Sequence, residues 1–226
     1  MKLPLAGAHA SDAWTNGPVR PYFWRCYQSR GPMSELDFSP TSSFAIWADA
    51  FSPAELDRIE AIGDRLGADS ATVADATSEG DVRADIRITR TSWLVPAPET
   101  KWIYDRMQKV VRALNDRVYQ FDLSGFSENF QYSIYRADEG GHFDWHVDQG
   151  YVLQTRRKLS ISVQLSDPSH YEGCDLQFFA GNKMENAPRD RGLVIAFPSY
   201  VLHRVTPCTK GIRKAVVAWT SGPQFR

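Results

Sequence analysis

The sequence predicts a mainly β fold with α-helices on its N-terminal side, a double-sheet barrel or sandwich backed by two helices. From Val118 onward the chain reads as short, apolar-alternating segments at regular spacing, punctuated by Gly, Pro, Asp and Ser. Helical periodicity is confined to two stretches, and both precede those strands. The 226 residues are 42% hydrophobic and 12% aromatic, which suffices for one sizeable core. No internal repeat or low-complexity segment interrupts the pattern.

Taken in order, residues 1–42 form an irregular arm broken by Pro4, Pro18, Pro21, Pro32 and Pro40. Tyr22, Phe23, Trp24 and Tyr27 are too many aromatics for a disordered tail, so the arm is expected to lie against the domain formed by residues 43–226. Ser43 to Trp47 reads as a strand. Ser52-Pro53-Ala54-Glu55 starts a helix, with Ser as N-cap, Pro at the first position and Glu three after the cap. Leu56, Ile59, Ile62 and Leu66 give it an apolar stripe, and Gly67 stops it. Residues 68–81 read as a loop, and Ile86 to Leu94 as one strand ended by Pro96 and Pro98. A second helix runs from Glu99 to about Arg117, burying Trp102, Ile103, Met107, Val110, Val111 and Leu114. The later strands are Phe130 to Ile134, His142 to Asp148, Leu159 to Leu165, Leu176 to Phe179, Leu193 to Phe197, Val201 to Val205 and Ala215 to Trp219.

Net charge is −1, with no long run of one sign, so nothing global draws the chain to nucleic acid or an acidic membrane. No stretch approaches the ~18 consecutive apolar residues of a membrane-spanning helix. Cys26, Cys174 and Cys208 are odd in number and lack CxxC spacing, which argues against a disulfide framework and for free thiols in a reducing cytoplasm. The N-terminal MKLPLAGAHA is too short and Pro-interrupted for a signal-peptide core.

The chemistry concentrates in YRADEGGHFDWHVD, residues 135–148. It holds two HxD pairs, His142-Phe-Asp144 and His146-Val-Asp148. All four residues share one strand parity, so alternation alone does not choose between them. The second pair is favoured because Gln149-Gly150 follows it, and a ligand carboxylate is best placed where a strand opens into a loop. His203 follows 57 residues after His146, inside the apolar run Phe197 to Val205. An imidazole there needs a hydrogen bond or a ligand. Two His and one carboxylate with open positions make the facial triad of non-haem Fe(II) sites. Ten residues beyond, Arg213 opens the last strand. A buried guanidinium needs an anion, and its fork matches a carboxylate.

HxD, a distal His and an Arg ten residues on resemble the 2-oxoglutarate- and Fe(II)-dependent dioxygenases, in their prolyl-4-hydroxylase-like branch, over residues 43–223. Tyr135, the Gly140-Gly141 turn and Phe143 match that branch ahead of His146-Val-Asp148, and so select the second HxD pair. Tyr171-Glu172-Gly173-Cys174-Asp175-Leu176 is similar to the family's YEGGxL turn, with Cys174 at the second Gly. Phe197-Pro198-Ser199, His203-Arg204-Val205-Thr206-Pro207 and Gly211-Ile212-Arg213 match the distal segment.

The resemblance implies a double-stranded β-helix, or jelly roll. It implies Fe(II) held by His146, Asp148 and His203, with O2 as co-reactant and ascorbate as a supporting reductant. It implies 2-oxoglutarate bound through its distal carboxylate to Arg213, with a hydrogen bond from Tyr135, a polar helper at Gln164, and Trp219 walling the pocket. The expected activity is hydroxylation of an unactivated C–H bond of a small-molecule or peptide substrate, a prolyl or other amino-acid residue being the nearest analogy, with succinate and CO2 as coproducts. Asp148 favours hydroxylation over halogenation, which leaves that carboxylate position to halide. Trp219 stands where nucleic-acid demethylases carry a second Arg, so a nucleic-acid substrate is not expected. A non-catalytic jelly-roll metal-binding or scaffold protein is the alternative, and a hydrolytic zinc enzyme a third. His142, Asp144 and Trp145 read either as lining the mouth or as a surface pair and a core ring. Oligomeric state is not legible.

Overall fold

The computed structural model describes residues 43–71, 83–149 and 156–225. The aromatic arm, Cys26 and most of the 68–81 loop fall outside them. In chain order the elements begin with β1 (Ala45–Trp47), α1 (Pro53–Arg65), β2 (Asp69–Ser70), β3 (Arg87–Ile88), β4 (Arg90–Leu94) and α2 (Lys101–Leu114). β5 (Gly125–Phe126), β6 (Phe130–Arg136), β7 (His142–His146), β8 (Arg157–Gln164) and β9 (Tyr171–Gly173) follow. The chain closes with β10 (Leu176–Ala180), β11 (Lys183–Asn186), β12 (Val194–Pro198), β13 (His203–Val205) and β14 (Cys208–Ser221).

Two antiparallel sheets result. The larger has the order β1-β12-β8-β14-β6-β4-β2, with β5 and β9 also paired to β14. The smaller has the order β11-β10-β13-β7-β3. This is the double-stranded β-helix that was expected.

The capping box at α1 forms as its sequence predicts: the Ser52 hydroxyl accepts from Glu55 N, and the Glu55 carboxylate accepts from Ser52 N. Leu56, Ile59 and Ile62 are buried, whereas Leu66 is the exposed C-cap residue. Gly67 follows with φ +70°. Gly63 is buried, and a Cβ there would lie 2.6 Å from the Tyr132 ring, so this close approach of helix and sheet requires glycine. α2 buries the apolar face read from its spacing, with Trp102 only partly covered. It ends in a π-helical turn, Asn115–Tyr119, closed by Gln120 at φ +50°.

Both helices pack on one face of the larger sheet, against Phe130, Tyr132, Leu159, Ile161, Val163, Val216 and Ala218. Strand alternation sends the intervening residues to the other face, and most of those are polar. Gln131, Ser133, Ser160, Ser162, Gln164 and Arg213 are all at most 6% exposed. A second apolar cluster (Tyr171, Leu176, Phe178, Ile195, Phe197 and Val205) joins the two sheets. The interior between the sheets is therefore partly apolar and partly polar, and the site draws on both, with the His203 ring against Phe178 and Phe197.

Ile86 to Leu94, read as one strand, is two. β3 pairs with β7 in the smaller sheet, and β4 pairs with β6 in the larger. The chain crosses between sheets at Thr89, which no alternation pattern marks. β2, inside the 68–81 stretch read as a loop, and β5, β9 and β11 were not anticipated. They are two to four residues long and exist through pairing alone.

Candidate active site

β7 is irregular where the chemistry lies. Phe143 pairs with Val205 and His146 with His203, so three steps on β7 oppose two on β13. This β-bulge inverts strand parity partway along β7. The single shared parity expected for His142, Asp144, His146 and Asp148 therefore does not hold. Phe143 and His146 come to the same inner face, their rings stacked with centroids 3.5 Å apart. His142 is turned away, its Nδ1 2.8 Å from Gly140 O, and the exposed Asp144 carboxylate accepts from Trp145 N. Trp145 is not a core ring: it is half-buried on the outer face, beneath the Arg204 guanidinium and edge-on to Phe179.

His146, Asp148 and His203 come together, with one ligand atom from each within 4.8 Å of the others. Among the described residues this is the one such cluster of His, Cys, Asp and Glu. Backbone carbonyls orient both imidazoles: Asp144 O lies 2.7 Å from His146 Nδ1, and Val201 O lies 2.9 Å from His203 Nδ1. A carbonyl only accepts, so each Nδ1 carries the proton and each Nε2 presents a lone pair. Both Nε2 atoms face Asp148, at 3.8 Å for His146 and 3.6 Å for His203. These separations are too long for hydrogen bonds and suit three donors around one ion. Asp148 lies just past β7, where Gln149 N donates to Ser199 O at 2.9 Å.

Burial, then the neighbouring His203, brings the His146 pKa down to about 3, so this imidazole is neutral at physiological pH. Burial works to raise the Asp148 pKa, but His203, His146, Arg157 and a bond from Ser160 outweigh it and hold it down at about 2. Neutral imidazole and ionised carboxylate are the forms a divalent metal takes.

Across the inner face of the larger sheet, Arg213 pairs in register with Tyr135 on β6. It is 3% exposed. Its Nε and Nη2 donate to Gln164 Oε1 at 3.2 and 2.9 Å, and no carboxylate among the described residues pairs with it. The guanidinium lies 5.5 Å from the Tyr135 ring centroid. Arg213, Gln164 and Tyr135 thus form one buried group with an uncompensated positive charge. Gly211 sets its register: φ is +70°, and a Cβ would come 2.0 Å from His170 O. The Gly173-Cys174 turn is left-handed at both residues, φ +69° and +54°. Cys174 adopts the glycine-like conformation with its side chain 1% exposed, so burial offsets a backbone cost of about 1–2 kcal/mol.

Trp219 lies on the inner face, 5% exposed, with the Arg157 guanidinium 3.8 Å from its ring. Arg157 is itself paired with Glu128. Sequence reading gave no role to Ser160, Ser199, Arg157 or Arg87: Ser160 bonds Asp148 and Ser199, and Arg157 and Arg87 lie within electrostatic reach of Asp148. The alternating Ser160-Ile161-Ser162-Val163-Gln164 carried the available signal, since a strand with one polar and one apolar face inside a core marks a lined cavity. A separate cavity of about 310 Å³, lined by Gln108, Arg112, Asn115 and Phe121 among others, contains none of the candidate residues.

Comparison with known proteins bears on this arrangement directly. Residues 130–221 match the 2OG-Fe(II) oxygenase superfamily. That segment contains β6 through β14, and with them the three-residue cluster and Arg213. A PKHD-type hydroxylase of Synechococcus sp. (strain CC9902) is 40% identical over 88 residues, 38% of this chain and 39% of the relative. A PKHD-type hydroxylase of Pseudomonas fluorescens is 26% identical over 154 residues, 63% of this chain and 66% of the relative. The chain thus spans about 39% of the length of the first of these curated relatives. Among solved structures, a Pseudomonas putida prolyl-4-hydroxylase superposes with a TM-score of 0.62 at 20% identity, covering 81% of this chain and 95% of that one. A Trichoplax adhaerens prolyl hydroxylase, solved with a hypoxia-inducible-factor peptide fragment, gives 0.66 at 16% identity, covering 80% and 84%. At these identities the likeness shows the fold, the double-stranded β-helix of the prolyl hydroxylases.

Proposed function

We propose that this protein is a 2-oxoglutarate-dependent Fe(II) dioxygenase that hydroxylates an unactivated C–H bond of a small-molecule or peptide substrate, with residues 43–226 as the oxygenase domain. One observation carries the reading. A three-donor cluster with both Nε2 lone pairs turned on one carboxylate shares a buried interior with Arg213, a cation that has no acid of its own among the described residues. The first part suits a divalent ion with open positions, and the second suits the far carboxylate of a dicarboxylic acid.

Each residue then has a role. His146, Asp148 and His203 hold Fe(II). Arg213 takes the distal carboxylate of 2-oxoglutarate, Gln164 holds the Arg213 fork in plane, and Tyr135 closes the same subsite. Fe(II), 2-oxoglutarate and O2 together supply a two-electron oxidation that converts C–H to C–OH while 2-oxoglutarate becomes succinate and CO2. The protein's part is orientation and exclusion of water, since the surrounding serines and Gln164 are almost fully buried. Among the described residues no helix is long and apolar enough to cross a membrane. The reading includes a cytoplasmic location, which the free thiols of Cys174 and Cys208 favour.

Anaerobic titration with Fe(II) and then 2-oxoglutarate, followed by visible absorbance, tests the reading. A charge-transfer band that needs both additions and is lost in Asp148→Ala is the expected result. Tight metal binding with no such band would favour a metal-binding jelly-roll scaffold instead.

A further inference from the structure

A second buried cation faces the same interior. Arg87 on β3 is paired in register with Phe143 on β7, so the two side chains share a face. The bulge brings His146 to that face as well. Phe143 stacks on the His146 ring, and the Arg87 guanidinium lies 4.6 Å from the Phe143 centroid. Arg87 is 9% exposed. Its Nε is buried without a hydrogen-bond partner, and no carboxylate among the described residues forms a salt bridge with it. Burial lowers its pKa, and the nearby Asp148 carboxylate acts the other way.

A guanidinium in water would satisfy all five of its donors, and leaving one orphaned in the interior is costly. Neighbouring cations do not share the problem. Arg157 is neutralised by Glu128. The divalent ion, the Asp148 carboxylate, Arg213 and a doubly negative cosubstrate balance to neutrality on the reading above. Among the described residues Arg87 is the positive charge left over at this site, beside the metal ligands and against the Phe143 ring.

We propose that Arg87 is the substrate-recognition residue of this site and that the molecule oxidised carries a carboxylate, which Arg87 takes. The inference rests on the dioxygenase reading and names its substrate class. The guanidinium lies 4.6 Å from the Phe143 ring centroid with its Nε unpartnered, and its fork is a group that can meet both oxygens of one carboxylate. Two sources present that group: the α-carboxylate of a free amino acid, or an acidic side chain within a peptide. A neutral peptide carbonyl would leave the surplus charge unmatched.

The test uses full-length protein loaded anaerobically with Fe(II) and 2-oxoglutarate. The probes are the free L-amino acids, the same compounds as primary amides, and Asp and Glu blocked at both ends. Binding is read by thermal shift and calorimetry. Acids are expected to bind where their amides do not, and the blocked Asp and Glu compounds separate the two sources. Arg87→Gln should weaken the best acid by about 30-fold or more, the range for removing one partner of a buried charge pair. It should leave 2-oxoglutarate binding and the charge-transfer band in place. Arg87→Lys should recover part of the loss and guards against a folding defect. Because it removes an unpaired buried charge, Arg87→Gln should not lower the Tm of the loaded protein. Equal binding of acids and amides, or no acid-selective binding at all, overturns the proposal. So does an Arg87→Gln variant that loses 2-oxoglutarate, which would make Arg87 a cosubstrate residue. Absence of the charge-transfer band in the unaltered protein fails at the earlier step and removes the dioxygenase reading itself.

Discussion

Arg213→Met separates the cosubstrate reading from a purely structural one. The substitution keeps the length of the side chain and removes its charge and fork. In the native protein the guanidinium is 3% exposed and, among the described residues, hydrogen-bonded only to Gln164 Oε1. Its charge is therefore free for a ligand, in a site from which water is largely excluded. A dicarboxylate bound to the variant would bury its distal group unpaired, and breaking a buried pair in this way costs about 3–5 kcal/mol. At 1.4 kcal/mol per tenfold, the Kd for 2-oxoglutarate should rise roughly 100-fold to several thousand-fold. Pyruvate has the same keto acid and no distal carboxylate, so its affinity should not change. Folding should survive: Gln164 loses a donor, at about 1–3 kcal/mol, while a buried charge is removed. The assay is anaerobic titration of the Fe(II)-loaded protein, read by the charge-transfer band for each keto acid. A loss of less than about tenfold, or an equal loss for pyruvate, would refute the assignment.

Three further outcomes are expected. His146→Ala, Asp148→Ala and His203→Ala should each abolish Fe(II) binding in equilibrium dialysis, whereas His142→Ala, whose ring is tied to Gly140 O, should retain it; the reverse pattern would assign the wrong HxD pair. Gly63→Ala should destabilise the fold by about 1–3 kcal/mol, read as a lower Tm, despite alanine's better helix propensity, because its Cβ meets the fully buried Tyr132 ring at 2.6 Å. In metal-free protein, His146 has a folded pKa of about 3 against 6.5 and Asp148 about 2 against 3.8. Both are depressed, so the unfolded chain binds more protons in each window. The His146 contribution is full above pH 6.5 and declines toward pH 3, and that of Asp148 is full above 3.8 and declines toward 2. Metal-free protein should therefore lose Tm steadily from pH 7 to pH 4, with a shallower slope in His146→Gln; a slope that does not change would place the acid sensitivity elsewhere.

Much of the architecture was local and hence legible. The Ser52-Pro53-Glu55 cap, the apolar stripe of α2 and the alternation in β6, β8 and β14 each follow from bonds and side-chain directions within a few residues. His203 and Arg213 stood out because an imidazole and a guanidinium in apolar surroundings need partners whatever the fold. Pairing between strands was not local. The β7 bulge is defined only against β13, and it decides that His146 turns inward while His142 does not. The split of residues 86–94 between two sheets is defined only against β6 and β7. Arg87 shows the same limit most clearly. In the sequence it is an ordinary basic residue of an alternating strand, and only the register that sets it over Phe143 makes it a buried charge beside the candidate metal ligands. Residue types and spacing determined which chemistry this chain can carry, while sheet register, set by contacts between residues distant along the chain, decided which side chains meet to carry it.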